Sequence, residues 1–280
     1  MKLKDRWMKL RNYQSDDFWA MLFARPLTIL FLLPLVERKW VTPNRITVVS
    51  ILLKLAGSAF VFFDRTYSGG VIGAILLNLG LVFDNMDGTV SRFRNCPTKF
   101  GFYLDKISDA VTMTLMFWAI GFRAYNANYE APFLADRRID LIIPLMAATV
   151  TYIAGYAKWV SERVLLDLKI MENFRKGTIE EFGASMDRCP VWSTPPQRKF
   201  SDWVKWFFQA VFSIFKMNEV DIFFWAGLAL ITEQYWIFTR LDCGLIICGI
   251  IVVPIMFSVK VIKREREVAK IPQKTEKREL

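Results

Sequence analysis

The chain contains no histidine. That absence excludes a Ser-His-Asp or Cys-His mechanism and any histidine-ligated metal. A proton acceptor must then be a carboxylate or another group. Cysteine is scarce too. Cys96, Cys189, Cys243 and Cys248 are scattered without a CxxC spacing and read as structural thiols. Acidic charge is in the minority, with 27 Asp and Glu against 37 Lys and Arg and a formal net charge of +10. The basic residues flank apolar runs, so they point to anionic lipid headgroups rather than to nucleic acid. No internal repeat is visible. No small-residue cleavage site follows a short apolar core, so no cleavable signal peptide is expected.

What the sequence has in excess is apolar length. Hydrophobic residues make up 54% of the chain and aromatics 15%, and the mean hydropathy is positive. This composition predicts an all-α, polytopic membrane protein with six transmembrane helices and an N-terminal interfacial helix. Residues 1–40 read as a basic arm and an amphipathic helix lying in the interface, broken by Arg25-Pro26 and Pro34. Arg25 there suits either a phosphate contact or snorkelling to headgroups. Thr42-Pro43 predicts a helix start, with a hydroxyl cap and proline at the first helical position. The spans are expected at about 44–63, 71–92, 101–122, 141–160, 220–237 and 243–261, within a domain covering 41–265. A long polar connection is expected at 161–202, holding an amphipathic helix and a Pro-rich loop, with an interfacial helix near 203–215. Residues 266–280 form a basic tail. Six spans put both termini on one side. The basic arm, the turn with Arg92, Arg94 and Lys99, the connection and the tail share it, so it should be the cytoplasm. The loop with Arg123, Arg137 and Arg138 partly violates that rule.

The chain is organised around Asp84–Asp109, DNMDGTVSRFRNCPTKFGFYLDKISD. Asp84, Asp87, Gly88 and Ser91 are spaced i, i+3, i+4, i+7, one face of a helix. Gly101, Asp105 and Asp109 are spaced i, i+4, i+8, again one face. Pro97 interrupts the chain between them. Two helices joined by a short turn would let both acidic faces converge. Four carboxylates at a membrane boundary repel one another and are costly to desolvate. Two divalent cations would neutralise them, and carboxylate oxygens suit magnesium or manganese. The plainer reading is a set of surface salt bridges among Asp84, Arg92, Lys99 and Lys106. Lys54, near the middle of the first span, is either cavity-facing or internally paired.

The spacing is DxxDG, two residues, a small residue, Arg, eight residues, then GxxxDxxxD. It resembles the signature of the CDP-alcohol phosphatidyltransferase family, with Ser91 where the family usually has Ala. The TPN entry to the first span is a weaker likeness. The resemblance implies an enzyme of phospholipid biosynthesis, a transferase of substituted phosphate groups. It would move a phosphatidyl group from CDP-diacylglycerol, or another CDP-linked donor, to the hydroxyl of a polar alcohol, releasing CMP. It further implies two Mg2+ or Mn2+ ions on Asp84, Asp87, Asp105 and Asp109, with Asp109 also the catalytic base. Gly88, Ser91, Arg92 and Gly101 would hold the CDP group. A homodimer in a bacterial-type cytoplasmic membrane, with the site on the cytoplasmic side, is implied as well. Lys54, Lys158 and Arg163 are candidates for a pocket that takes a phosphorylated acceptor. The alternative from another class is a divalent-cation transporter using the same carboxylates.

Overall fold

A computed structural model describes residues 3–11, 19–94, 98–134, 136–176 and 218–271, with 200, 201, 204, 205 and 208. The described residues are helical and contain no strand. Most of the expected interfacial helix near 203–215, the Pro-rich loop, Cys96 and Cys189 lie outside them. The elements are α1 (Leu3–Arg11), α2 (Arg25–Leu35), α3 (Pro43–Phe63), α4 (Tyr67–Arg94), α5 (Lys99–Asn126), α6 (Arg138–Lys176), α7 (Glu219–Thr232) and α8 (Cys243–Ala269). Wide π turns at Ala20–Ala24 and Ile237–Asp242 lead into α2 and α8. The chain divides into two compact units, Met1–Ala148 with Val191–Leu245 and Thr149–Pro190 with Ile246–Leu280.

In the first unit α3 and α4 pack along a seam of small residues. A Cβ on Gly57 would meet the backbone N of Leu77 at 2.9 Å, and one on Gly73 would meet the carbonyl of Gly57 at 3.0 Å. Only glycine permits so close an approach of two backbones. A second core joins the N-terminal segment to α4. Leu10, Leu32, Val36, Val41, Ile46, Met86 and Val90 are buried together in it. Thus α2 packs on protein, while Leu30 and Phe31 remain exposed. Arg25, at the start of α2, is buried.

Helix boundaries follow local chemistry. Pro43 opens α3 as expected, but the Thr42 side chain makes no capping hydrogen bond; its extended backbone and the fixed φ of proline set the start. Thr98 caps α5, its hydroxyl accepting from the Gly101 N–H at 3.0 Å. Asn218 and Asp221 form a reciprocal capping box at the start of α7. Glu233 ends that helix in the left-handed region, at φ 57°. Thr66 donates its hydroxyl and its N–H to Asp64 Oδ1, at 2.6 and 3.0 Å, holding that carboxyl below its usual range.

Two buried arginines tie the unit's far end together. Arg123 belongs to α5 rather than to the following loop. It donates to the carbonyls of Asp64 and Thr66, both at 2.6 Å, and to the Tyr235 hydroxyl at 3.1 Å. Its charge is thus engaged by the α3–α4 turn. Arg240 forks onto Asp140 through Nε and Nη2, at 2.8 and 2.7 Å, and also donates to the Phe133 and Leu134 carbonyls.

In the second unit the later part of α6 continues to Lys176, so the connection expected at 161–202 starts later. No glycine or proline interrupts the chain from Ser161 to Lys176, and its apolar residues already recur at helical intervals. Glu172 pairs there with Lys176 and Arg264, and Arg175 donates to the Val268 carbonyl at 2.9 Å.

Among the described residues, α3, α4, α6 and the run Ile237–Ala269 are long and apolar enough to cross a membrane. These four are fewer than the six expected. Asp105, Lys106, Asp109 and Arg123 break the apolar run of α5, and α7 has only 14 residues.

Candidate active site

The expected convergence of two acidic helix faces is present. Asp84 on α4 and Asp105 and Asp109 on α5 each offer a carboxylate oxygen, and these oxygens lie within 4.8 Å of one another. All three side chains are half-buried. Asp87, one turn beyond Asp84, is buried and accepts a short hydrogen bond from the Thr47 hydroxyl of α3. Ser50, one turn further along α3, donates to the Gly80 carbonyl at 2.9 Å and lies 3.4 Å from Asp84 Oδ1.

The proposed nucleotide contacts border this cluster. A Cβ on Gly88 would stand 3.2 Å from Arg92 Nη1, so the guanidinium reaches back over the bare backbone there. Ser91 lies half-buried beside Arg92. A Cβ on Gly101 would collide with Thr98 Oγ1 at 2.8 Å and crowd Asn44 Oδ1 at 3.1 Å. Asn44 belongs to the TPN entry, so that tripeptide and the second half of the acidic stretch meet in space.

Lys54 is the centre of the charge arrangement. It is 1% exposed, and its Nζ lies 3.2 Å from Asp109 Oδ1, 3.3 Å from Glu219 Oε1 and 3.5 Å from Asp84 Oδ2. Internal pairing is therefore its observed state. Lys106 pairs with Asp105 at 2.9 Å and Asp109 at 3.6 Å from a largely exposed position. The salt-bridge reading thus holds for Lys106, while Asp84 takes Lys54 as partner. Lys158 and Arg163 belong to the second unit, where both are exposed and Arg163 pairs with Asp167.

Three contributors were missed from sequence. Ser50 and Thr47 lie one and two turns before Lys54 on the same face of α3, and that spacing could have revealed them. Glu219 stands outside the acidic stretch, at the head of α7, and only the fold brings it to Lys54.

The donor set fits a hard divalent cation. Every ligand atom offered is a carboxylate oxygen, and the four acidic groups Asp84, Asp105, Asp109 and Glu219 face the ammoniums of Lys54 and Lys106. Negative charge is left over, which is what a metal site requires before its metal arrives.

A DxxDG motif late in α4 thus faces a GxxxDxxxD motif early in α5. Residues 40–166 match the CDP-alcohol phosphatidyltransferase family model. Over 92 residues the chain is 39% identical to a phosphatidylinositol phosphate synthase of Corynebacterium glutamicum, covering 33% of this chain and 40% of that protein. It is 35% identical over 68 residues to a bifunctional IPC transferase and DIPP synthase of Aquifex aeolicus, covering 24% and 15%. An uncharacterised protein of the same organism is 35% identical over 89 residues, covering 32% and 42%. The chain spans less than half the length of these relatives.

Proposed function

We propose that the protein is a membrane phosphotransferase. It moves a phosphatidyl or related group from a CDP-linked donor to the hydroxyl of a polar alcohol and releases CMP. The convergence of Asp84, Asp105 and Asp109 beside Gly88, Arg92 and Gly101 carries this reading. Asp84, Asp87, Asp105 and Asp109 would hold two Mg2+ or Mn2+ ions. When bound, the ions would bind the donor's diphosphate and neutralise its charge. Arg92 presents a planar fork suited to phosphate oxygens. The bare backbones at Gly88 and Gly101 leave room for the nucleotide. Thr47 fixes the orientation of Asp87. Asp109 stands at the acceptor end and takes the hydroxyl proton as the new phosphodiester forms.

The donor is CDP-diacylglycerol in this reading. An apolar groove of 360 Å³ lies beside α4, lined by Phe23, Leu27, Leu79, Val82, Phe224 and Ile231. Its size and lining suit a hydrocarbon chain. A phosphorylated acceptor would need cations beyond Arg92. The topology proposed is six spans, counting α5 and α7, with termini and site cytoplasmic, and the assembly a homodimer.

The test is CMP release by the purified full chain in lipid. CDP-diacylglycerol, a divalent cation and one alcohol at a time would be supplied, including inositol phosphate, serine and glycerol 3-phosphate. Release that depends on one acceptor, and is lost with chelator and in Asp109→Asn, is the expected result. A folded protein that releases no CMP with any acceptor, from this donor or from CDP-choline or CDP-ethanolamine, would refute the reading.

A further inference from the structure

The acidic stretch accounts for Asp84 and Asp109 but not for the lysine lodged between them. Lys54 sits at the oxygens a divalent cation would use, and an ammonium and a dication cannot share them without strong repulsion. Either the lysine keeps the site or it has somewhere else to go. The structure provides that place. Glu219 comes from α7, outside the acidic stretch, and its carboxylate is already 3.3 Å from Lys54 Nζ. The Phe223 ring, one turn further along α7, lies 5.3 Å from the same nitrogen and offers a cation–π face. The stem of Lys54 has a fixed track, since a Cβ on Gly80 would meet its Cγ at 2.7 Å. The head can swing while the stem stays in the α3–α4 seam.

We propose that Lys54 is a built-in counter-ion that holds Asp84 and Asp109 until a divalent cation arrives, and that Glu219 is the acceptor to which the ammonium is handed over. Glu219 is a positioning residue. It acts through Lys54, and it sets how readily the two aspartates are surrendered. The inference rests on the reading of these carboxylates as metal ligands and adds a residue from another helix to the site. It also gives the buried lysine a function in both states. Without metal it prevents mutual repulsion of the aspartates; with metal it leaves them and stays neutralised.

The test is Mn2+ binding to the full chain in lipid nanodiscs, read from the electron paramagnetic resonance signal of free Mn2+, so that turnover is not the readout. Glu219→Gln removes the alternative partner and should weaken Mn2+ binding about ten-fold, a size set by one partly exposed charge pair. Lys54→Met removes the competitor and should tighten it. In Lys54→Met the further change Glu219→Gln should have no effect, because the residue through which Glu219 acts is gone. Lys54→Gln, polar and of nearly equal length, replaces Lys54→Met if the latter fails to fold. An equal weakening by Glu219→Gln with and without Lys54 would overturn the proposal and make Glu219 a direct ligand. Unchanged binding in Glu219→Gln would overturn it as well. In both cases the metal-site reading would stand. Absence of Mn2+ binding by the unaltered chain would instead overturn that reading together with this one.

Discussion

Replacing Gly57 with alanine should destabilise the protein, although alanine is the better helix former. Gly57 lies inside α3, where a glycine-to-alanine change on an open face gains about 0.5–1 kcal/mol. Here the added methyl would meet the Leu77 backbone N at 2.9 Å, the Leu77 Cγ at 2.9 Å and the Gly73 carbonyl at 3.1 Å. Two of those atoms are backbone and cannot rotate away, so α3 and α4 must separate. Overpacking of this kind costs about 1–3 kcal/mol. The methyl's own gain offsets part of that, leaving a net loss of about 1–2 kcal/mol. Gly244 supplies the internal control, because a Cβ there has nothing within 4 Å. Gly244→Ala should be neutral or stabilising, so the two variants should differ by about 2 kcal/mol. The assay is the folded fraction remaining in detergent after graded heating, measured by size-exclusion chromatography. A Gly57→Ala protein as stable as Gly244→Ala would refute the close-packed seam.

Asp140→Asn should cost about 3–5 kcal/mol in the same assay, since it leaves Arg240 buried without its counter-charge, while Asp140→Asn with Arg240→Met should cost less than either change alone. A purely additive result would show that the two residues do not act as a pair. Arg123→Met should lose about 3 kcal/mol by leaving the Asp64 and Thr66 carbonyls without their donor, and Arg123→Lys should restore little because an ammonium cannot fork between them. Restoration of full stability by the lysine would sink the account of that turn. Thr47→Val should lower cation-dependent CMP release by about ten-fold through loss of the hydrogen bond to Asp87, whereas Thr47→Ser keeps most of it. Equal activity in the valine and serine variants would remove Thr47 from the site.

The acidic stretch was legible because helical spacing alone places Asp84 with Asp87 and Asp105 with Asp109, and a proline in the sequence between them predicts a break in the helix. Lys54 was legible as an anomaly of depth, but its partners were not. Asp84 and Asp109 are distant in sequence, and Glu219 is separated from Lys54 by most of the chain. The same limit hid Arg240 and Asp140, each an ordinary charge near a helix end until the fold buries them together. An amphipathic helix was expected past Val160, but its continuity with α6 was missed for a different reason. Charged residues replace apolar ones there, which ends the membrane-like pattern without ending the helix. The roles of Gly57, Gly73 and Gly80 were half visible. Small residues signal close approach, but which helix approaches is a tertiary fact.

The α3–α4 seam explains why chemistry and packing occupy one surface. On α3 the buried stripe runs Thr47, Ser50, Lys54, Gly57, Val61; on α4 it runs Gly73, Leu77, Gly80 and then Asp87, with Asp84 half-buried between. At one end the facing residues are small and apolar, and the backbones touch. At the other they are hydroxyls, an ammonium and carboxylates, and Thr47, Ser50 and Lys54 each find a partner on α4. Close packing at the glycine end fixes the register of the polar end, since a helix cannot slide when its backbone atoms are in contact. The hydrogen bonds from Thr47 to Asp87 and from Ser50 to the Gly80 carbonyl then read that register out as carboxylate orientation. A change at Gly57 should accordingly be felt at Asp84 and Asp87 without touching them. Mn2+ affinity measured across Gly57→Ala separates the two possibilities: a loss means the seam sets the site, and an unchanged affinity means the site's own hydrogen bonds hold it in place.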